Sequence, residues 1–339
     1  MGQQREAWFD HTKGILIILV VLGHFLGSYY LIESNTYIQI LYANIYFFHM
    51  PLFILLAGYF YNPNKPERVL NFVFIYLVWQ VFNEILNGYF ADYQLLPLNY
   101  QKLLDIFNPN WTLWYLAGII IWFVITPYVL KYKYPLLIVI LIALVAGEIE
   151  KIPKAFALRR VLMFYPFFLM GYYARNKNWL YSMPGLLQVI KKLRWFIVLG
   201  TFGYISYQTY IGELKASRFF MKFSYEGYEL GAIDGVISQI VLFAWMFLFC
   251  FAFLFIVPRK KPIGWLSNFG TQSLFIYLTH TMFVRVFKHT IGLKYGDQDL
   301  TLIAFAVAAT VFYLLIFKFL RFDLLFKPVI QPKLNWLYN

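Results

Sequence analysis

Apolar residues in this chain come in long runs separated by short polar joints. Ten runs stand out: 14–31, 38–60, 69–90, 111–130, 134–147, 160–174, 194–211, 233–257, 269–287 and 300–320. A run of about 17–25 apolar residues, wound as a helix, is long enough to cross a bilayer. Only 134–147 and 160–174 are shorter than that. The longest joints are about twenty residues, and no repeat or low-complexity tract interrupts the series. The pattern predicts an all-α fold, a polytopic membrane helix bundle of about ten transmembrane helices. It predicts a single transmembrane domain over 1–339 with no appended soluble domain.

Composition strengthens this reading. The 339 residues are 61% hydrophobic and 13% charged, with a mean hydropathy of +0.61. That apolar share is well above the range of soluble domains. The net charge of +13 bears on orientation. Lys and Arg concentrate in cytoplasmic joints and meet anionic lipid there. With the N-terminus inside, the inner segments carry 18 of the 29 basic residues, so both termini are expected to be cytoplasmic. No basic domain stands apart from the helices, which argues against nucleic acid as a partner. The single cysteine, Cys250, excludes an internal disulfide and a cysteine-rich metal site. The first run has no small-residue cleavage site behind it and leads into further helices, so it reads as a retained span.

Polar residues inside such runs are costly, and so they are the candidates for chemistry. The stretch from Arg5 to Leu31 sets the pattern. A polar lead-in with Arg5, Glu6, Asp10, His11 and Lys13 precedes an apolar run whose one ionisable residue is His24. Lys13 and His24 are eleven residues apart, which on a helix is about 20° of rotation and ~16 Å of rise. The two therefore share one stripe. His49 and His280 fall in the middle of two other runs, at a depth similar to that of His24. The plain alternative for each is a hydrogen bond that packs helices. A three-histidine zinc site was weighed, but no carboxylate at that depth supplies an outer shell, and no metal is expected.

Further polar groups gather toward the other side. Asn44 and Tyr46, Asn83 and Glu84, and the aromatic WTLWYL with Trp111, Trp114 and Tyr115 lie in outer halves of runs. Glu33, Glu213, Glu226, Glu229 and Asp234 stand near outer ends. Aromatic faces beside carboxylates and amides suit a sugar, against the alternative of an interfacial aromatic belt. Arg159 and Arg160 either snorkel to the interface or clamp an anionic group of a lipid-linked acceptor. Lys65 and Arg68 are placed to meet phosphates from the inner side, or simply to anchor the chain there.

The pieces KGILIILVVLGH (13–24), FFHMPLFILLAGYF (47–60), WTLWYL (111–116), FYPFFLMGYYA (164–174) and FGTQSLFIYLTH (269–280) resemble acyltransferase family 3, an integral membrane O-acyltransferase family. The resemblance is strongest to its fucose 4-O-acetylase-like branch and runs over essentially the whole chain. It implies a ten-helix domain in the cell membrane that takes an acyl group, usually acetyl, from cytosolic acyl-CoA. The group passes to a hydroxyl of a glycan or lipid-linked sugar acceptor. Lys13 and His24 match the family's basic-X10-His motif, whose histidine is held to be catalytic. Arg68 matches half of an arginine motif; its second arginine is Phe72 here.

On this reading His24, His280 and His49 carry the catalytic step, with Tyr277 as a further donor to the carbonyl oxygen. Lys13, Arg5 and Arg68 hold the donor acetyl-CoA. Glu84, Trp111, Trp114, Arg159, Arg160 and Tyr277 face the acceptor. Membrane lipid surrounds the bundle. The rival class is a membrane transporter or flippase for a glycan or lipid intermediate, which also places ionisable groups at mid-membrane.

Overall fold

The computed structural model describes the backbone of residues 7–27, 29–32, 34–92, 105–259, 263–295, 297–320, 327–330 and 332. Arg5 and Glu33 lie outside these residues, as do both chain ends. Among the described residues the chain is helical and forms no strand. The main helices are α1 (Ala7–Leu26), α2 (Thr36–Tyr59), α3 (Glu67–Asp92), α4 (Trp114–Val129), α5 (Pro135–Glu148) and α6 (Leu158–Asn176). They continue with α7 (Gly185–Tyr210), α8 (Ala232–Ile256), α9 (Gly264–Thr271), α10 (Ser273–Phe287) and α11 (Asp299–Leu320). Six helical stretches are long and apolar enough to cross a membrane: 7–26, 36–59, 67–87, 111–129, 232–256 and 299–318. The expected ten runs all meet helix, and the six establish a multi-pass membrane protein.

One boundary differs from expectation in a way that matters. The polar lead-in is itself helix from Ala7, and α1 ends at Leu26 instead of running to 31. The cause is that the lead-in finds partners. Trp8 Nε1 donates to the Leu254 carbonyl at 2.9 Å, and the Arg259 guanidinium lies 3.7 Å over the Trp8 ring. His11 Nδ1–H donates to the Pro258 carbonyl at 2.9 Å, and the Ile263 amide donates to His11 Nε2 at 2.8 Å. A neutral imidazole has one donor and one acceptor, and His11 uses both on the backbone. Polar first turns thus become part of the packing, and His24 comes to lie two residues from the helix end.

The chain divides into two compact units. Unit 1 comprises residues 1–56, 176–219 and 242–323. Its helix α1 packs on α9 almost backbone to backbone. A Cβ on Gly270 would stand 1.8 Å from the Asp10 carbonyl oxygen, so only glycine fits there. The α2 N-terminus is closed by Asp299, whose carboxylate accepts from the Tyr37 and Ile38 amides at 2.7 and 2.9 Å. That charge complements the positive end of the helix and satisfies two of its free donors. Phe47, Phe48, Phe202, Trp245, Phe249 and Phe253 interleave as an aromatic core. Tyr313 of α11 ties down α10, bonding the Thr279 hydroxyl at 2.7 Å and the Ile276 carbonyl at 3.0 Å.

Unit 2 comprises residues 57–175, 220–241 and 324–339. Trp122 of α4 donates to the Val161 carbonyl of α6 at 2.9 Å, and the Thr126 hydroxyl meets the Tyr165 phenol at 3.0 Å. Tyr225 fills the space beside Gly147 and donates to the Leu144 carbonyl at 3.1 Å. Each of these bonds satisfies a polar atom that hydrocarbon would leave unpaired.

Candidate active site

Unit 1 brings two of the three mid-run histidines into contact, and Tyr46 lies against both His24 and the third, His49. The rings of His24 on α1 and His280 on α10 have centroids 5.0 Å apart, tilted by 37°. Tyr46 of α2 joins the group from the third side. Its hydroxyl is 3.5 Å from His24 Nδ1, and its ring lies edge-on to His49 at 4.6 Å. Helical geometry explains Tyr46 and His49: a spacing of three puts both on one face of α2. Gly23 explains how close Tyr46 comes, since a Cβ there would sit 3.1 Å from the Tyr46 ring. Behind Tyr46 the ring of Tyr42 stacks at 3.9 Å, and that of Tyr30 stacks on Tyr42 at 4.3 Å. An aromatic column therefore runs from the turn after α1 to His24.

The histidines differ in what their nitrogens do. His49 is buried, and its Nδ1 is 2.7 Å from the Ile45 carbonyl. His280 is wholly buried, and its Nδ1 is 2.6 Å from the Tyr277 carbonyl. A carbonyl oxygen only accepts, so in both rings Nδ1 carries the hydrogen and Nε2 is left as the acceptor. Nε2 of His280 is buried and meets no hydrogen-bond partner. This bears on the role expected for His280 as a donor to the carbonyl oxygen: a neutral ring with this tautomer has no proton to give at Nε2. His24 is half-buried, the most open of the three. Tyr277 is 7% exposed, and its ring centroid is 6.1 Å from that of His280. Lys13 is half-buried on α1, on the His24 stripe.

The remaining candidates lie in unit 2, where most of their polar atoms are committed to the fold. Arg159 donates to the carbonyls of Ala146, Ile149 and Glu150, closing the C-terminal end of α5. Glu84 accepts from Asn110 Nδ2 at 3.1 Å. Gln80 works beside it: it donates to the Asp105 and Asn108 carbonyls and accepts from the Asn110 amide at 2.9 Å. Together these bonds hold the 105–110 segment against α3. Trp114 stacks on Phe164 at 5.4 Å and carries the Arg160 guanidinium at 5.0 Å over its ring. Trp111 is exposed. Arg68 is half-buried in the first turn of α3. The Lys222 ammonium is pushed below its usual range by burial and then by the charges of Arg160 and Lys154, which marks a positive patch. No group of three or more His, Cys, Asp or Glu among the described residues is arranged to hold a metal.

The sequence places Tyr46 among the groups suited to a sugar but does not pair it with His24; the three-residue spacing to His49 is the signal that puts it on the histidine face. The stacking of Arg259 on Trp8 joins residues 251 positions apart and leaves no local signature.

The fold is that of a helical, multi-pass membrane protein. Residues 6–318 match the model of the acyltransferase domain family, and the chain belongs to that family, acyltransferase family 3. Two relatives share parts of it. Nodulation protein NolL of Sinorhizobium fredii is 48% identical over 59 residues, covering 17% of this chain and 16% of the relative. Nodulation protein NolL of Mesorhizobium japonicum is 36% identical over 87 residues, covering 22% of this chain and 23% of the relative. In these matches the chain spans less than a quarter of each relative's length. No solved structure matches it.

Proposed function

We propose that the protein is a membrane O-acyltransferase that moves an acetyl or similar acyl group from cytosolic acyl-CoA to a hydroxyl of a glycan or lipid-linked sugar. The observation that carries this is the half-open His24, walled by Tyr46 and His280, in a chain of the acyltransferase family. The family resemblance favours acetyl as the group.

The chemistry follows from the side chains. An imidazole is suited to act as a general base near neutral pH. His24 takes the proton of the acceptor hydroxyl as that oxygen attacks the thioester carbonyl carbon. The carbon–sulfur bond then breaks, and the thiolate leaves with a proton returned from His24. Atoms and charge balance without a metal. Lys13 lies ~16 Å along α1 from His24 and meets the phosphate end of the donor, as a cation at the helix edge is suited to do. The column Tyr30–Tyr42–Tyr46 offers ring edges and hydroxyls to an acceptor arriving from the opposite side. In this reading the ten helical runs all cross the bacterial cell membrane, with both termini in the cytoplasm. In unit 2, Arg159 and Glu84 serve the fold.

The test is purified protein in vesicles with radiolabelled acetyl-CoA and a panel of glycans. Label transferred to a glycan hydroxyl is the expected result. Glycan crossing the vesicle wall with no label transferred would replace this reading with the transporter.

A further inference from the structure

His280 presents a puzzle that the proposed reaction does not by itself answer. An imidazole that is 0% exposed has a buried acceptor nitrogen with no partner. Leaving such a group unpaired is destabilising, because its desolvation is not repaid by a hydrogen bond. The fold does not relieve it: Nδ1–H is already held by the Tyr277 carbonyl, which fixes the ring's orientation and points the empty nitrogen away from its own helix turn. The nearest ring among the described residues is His24, with centroids 5.0 Å apart. Two imidazoles joined by an N–H···N bond of about 3 Å have centroids roughly 5 Å apart, so a small ring rotation makes the bond.

We propose that His280 is the positioning residue for His24: its Nε2 accepts from the Nε2–H of His24, so that Nδ1, on the Tyr46 side, is the nitrogen that takes the proton of the acceptor hydroxyl. Neutral His24 needs only one hydrogen, on Nε2, and its Nδ1 stands beside the Tyr46 hydroxyl. Protonated His24 is a cation, and its charge strengthens the bond that its Nε2–H gives to His280. A charge-assisted hydrogen bond of this kind is about twice as strong as a neutral one. It does for His24 what a carboxylate does for the histidine of a hydrolase triad, without adding a buried negative charge. No proton passes from His24 to His280; when the thiolate collects the proton from Nδ1 of His24, the bond to His280 weakens to a neutral one again.

Other groups face this pair. Tyr46 and His49 come from α2, Tyr277 and Arg285 from α10, and Tyr313 from α11. The Tyr313 hydroxyl is engaged with Thr279 and the Ile276 carbonyl. Arg285 lies on α10, five residues beyond His280. Lys13 is ~16 Å away along α1. None of these changes between the variants below. The inference takes from the proposed function only that His24 is the proton-accepting group, and its test can be read without any acyl transfer.

The experiment is site-resolved labelling of His24 by diethyl pyrocarbonate across pH, read by mass spectrometry, in wild type, His280→Gln and His280→Phe. The Gln carbonyl oxygen keeps an acceptor; the Phe ring removes it. Losing the acceptor destabilises protonated His24, so the labelling midpoint of His280→Phe is expected about one pH unit lower, a tenfold shift in the protonation constant. His280→Gln is expected to stay close to wild type. Where the Phe ring is not accommodated, His280→Leu removes the acceptor at smaller volume. An unchanged midpoint in the folded Phe or Leu variant overturns the proposal, as does a Gln variant that shifts as far as Phe. In the transfer assay the acid limb of kcat/KM should move with the labelling midpoint while donor KM holds. A shifted midpoint in a protein that transfers nothing keeps the histidine pair and discards the acyltransferase.

Discussion

Polar groups in the two units have opposite fates. Around Gln80, Asn110, Glu84 and Arg159 of unit 2, donors and acceptors close on one another and on the backbone. In unit 1 the Tyr46–His24 contact is long at 3.5 Å, and Nε2 of His280 is buried without a hydrogen-bond partner. Closed networks stabilise a fold; incomplete ones are what a bound molecule completes. The contrast separates residues that the sequence alone places in one class, since Arg159, Glu84 and the histidines all read as intramembrane polar groups with a function.

The largest effect expected on the closed side is at Arg159. Arg159→Met keeps most of the stem but leaves the carbonyls at the end of α5 without their donor. It should cost about 3 kcal/mol, seen as a lower melting temperature in detergent, while turnover per folded molecule stays near wild type. A loss of acceptor affinity at unchanged stability would move Arg159 to the substrate side of the comparison. Gln80→Leu should follow the same pattern at about 2 kcal/mol, because the Asn110 amide and two carbonyls lose their partner at once. On the open side the smallest change is Tyr46→Phe, which keeps the ring stacked on Tyr42 and removes only the hydroxyl. It should slow transfer less than tenfold, about 1 kcal/mol, with no change in melting temperature. A fall in stability there would mean that the 3.5 Å contact belongs to the scaffold.

Much of this was legible in the sequence because helical periodicity is local. The eleven-residue step from Lys13 to His24 defines a stripe whatever else the chain does, and similar depth in separate runs brought His24, His49 and His280 to one level. The depth argument worked less well for α1. Its start at Ala7 follows from bonds that His11 makes to residues near 260, about 250 positions away, and no local pattern reports them. Arg159 was ambiguous for a related reason. A guanidinium before a short apolar run looks the same whether it seeks lipid, a phosphate or the end of the preceding helix. Only the position at which α5 stops, at Glu148, selects the last. The tautomer of His280 was likewise beyond the sequence, because it depends on which carbonyl the ring meets.

The central claim is that His24 is chemically active and structurally dispensable. The most direct measurement compares His24→Ala with wild type for acetyl transfer from labelled acetyl-CoA and for melting temperature, in the same detergent preparation. The account predicts a rate lower by about 10²–10⁴-fold with the melting temperature unchanged. A variant that transfers at nearly the wild-type rate, or one that loses activity only because it no longer folds, would contradict it.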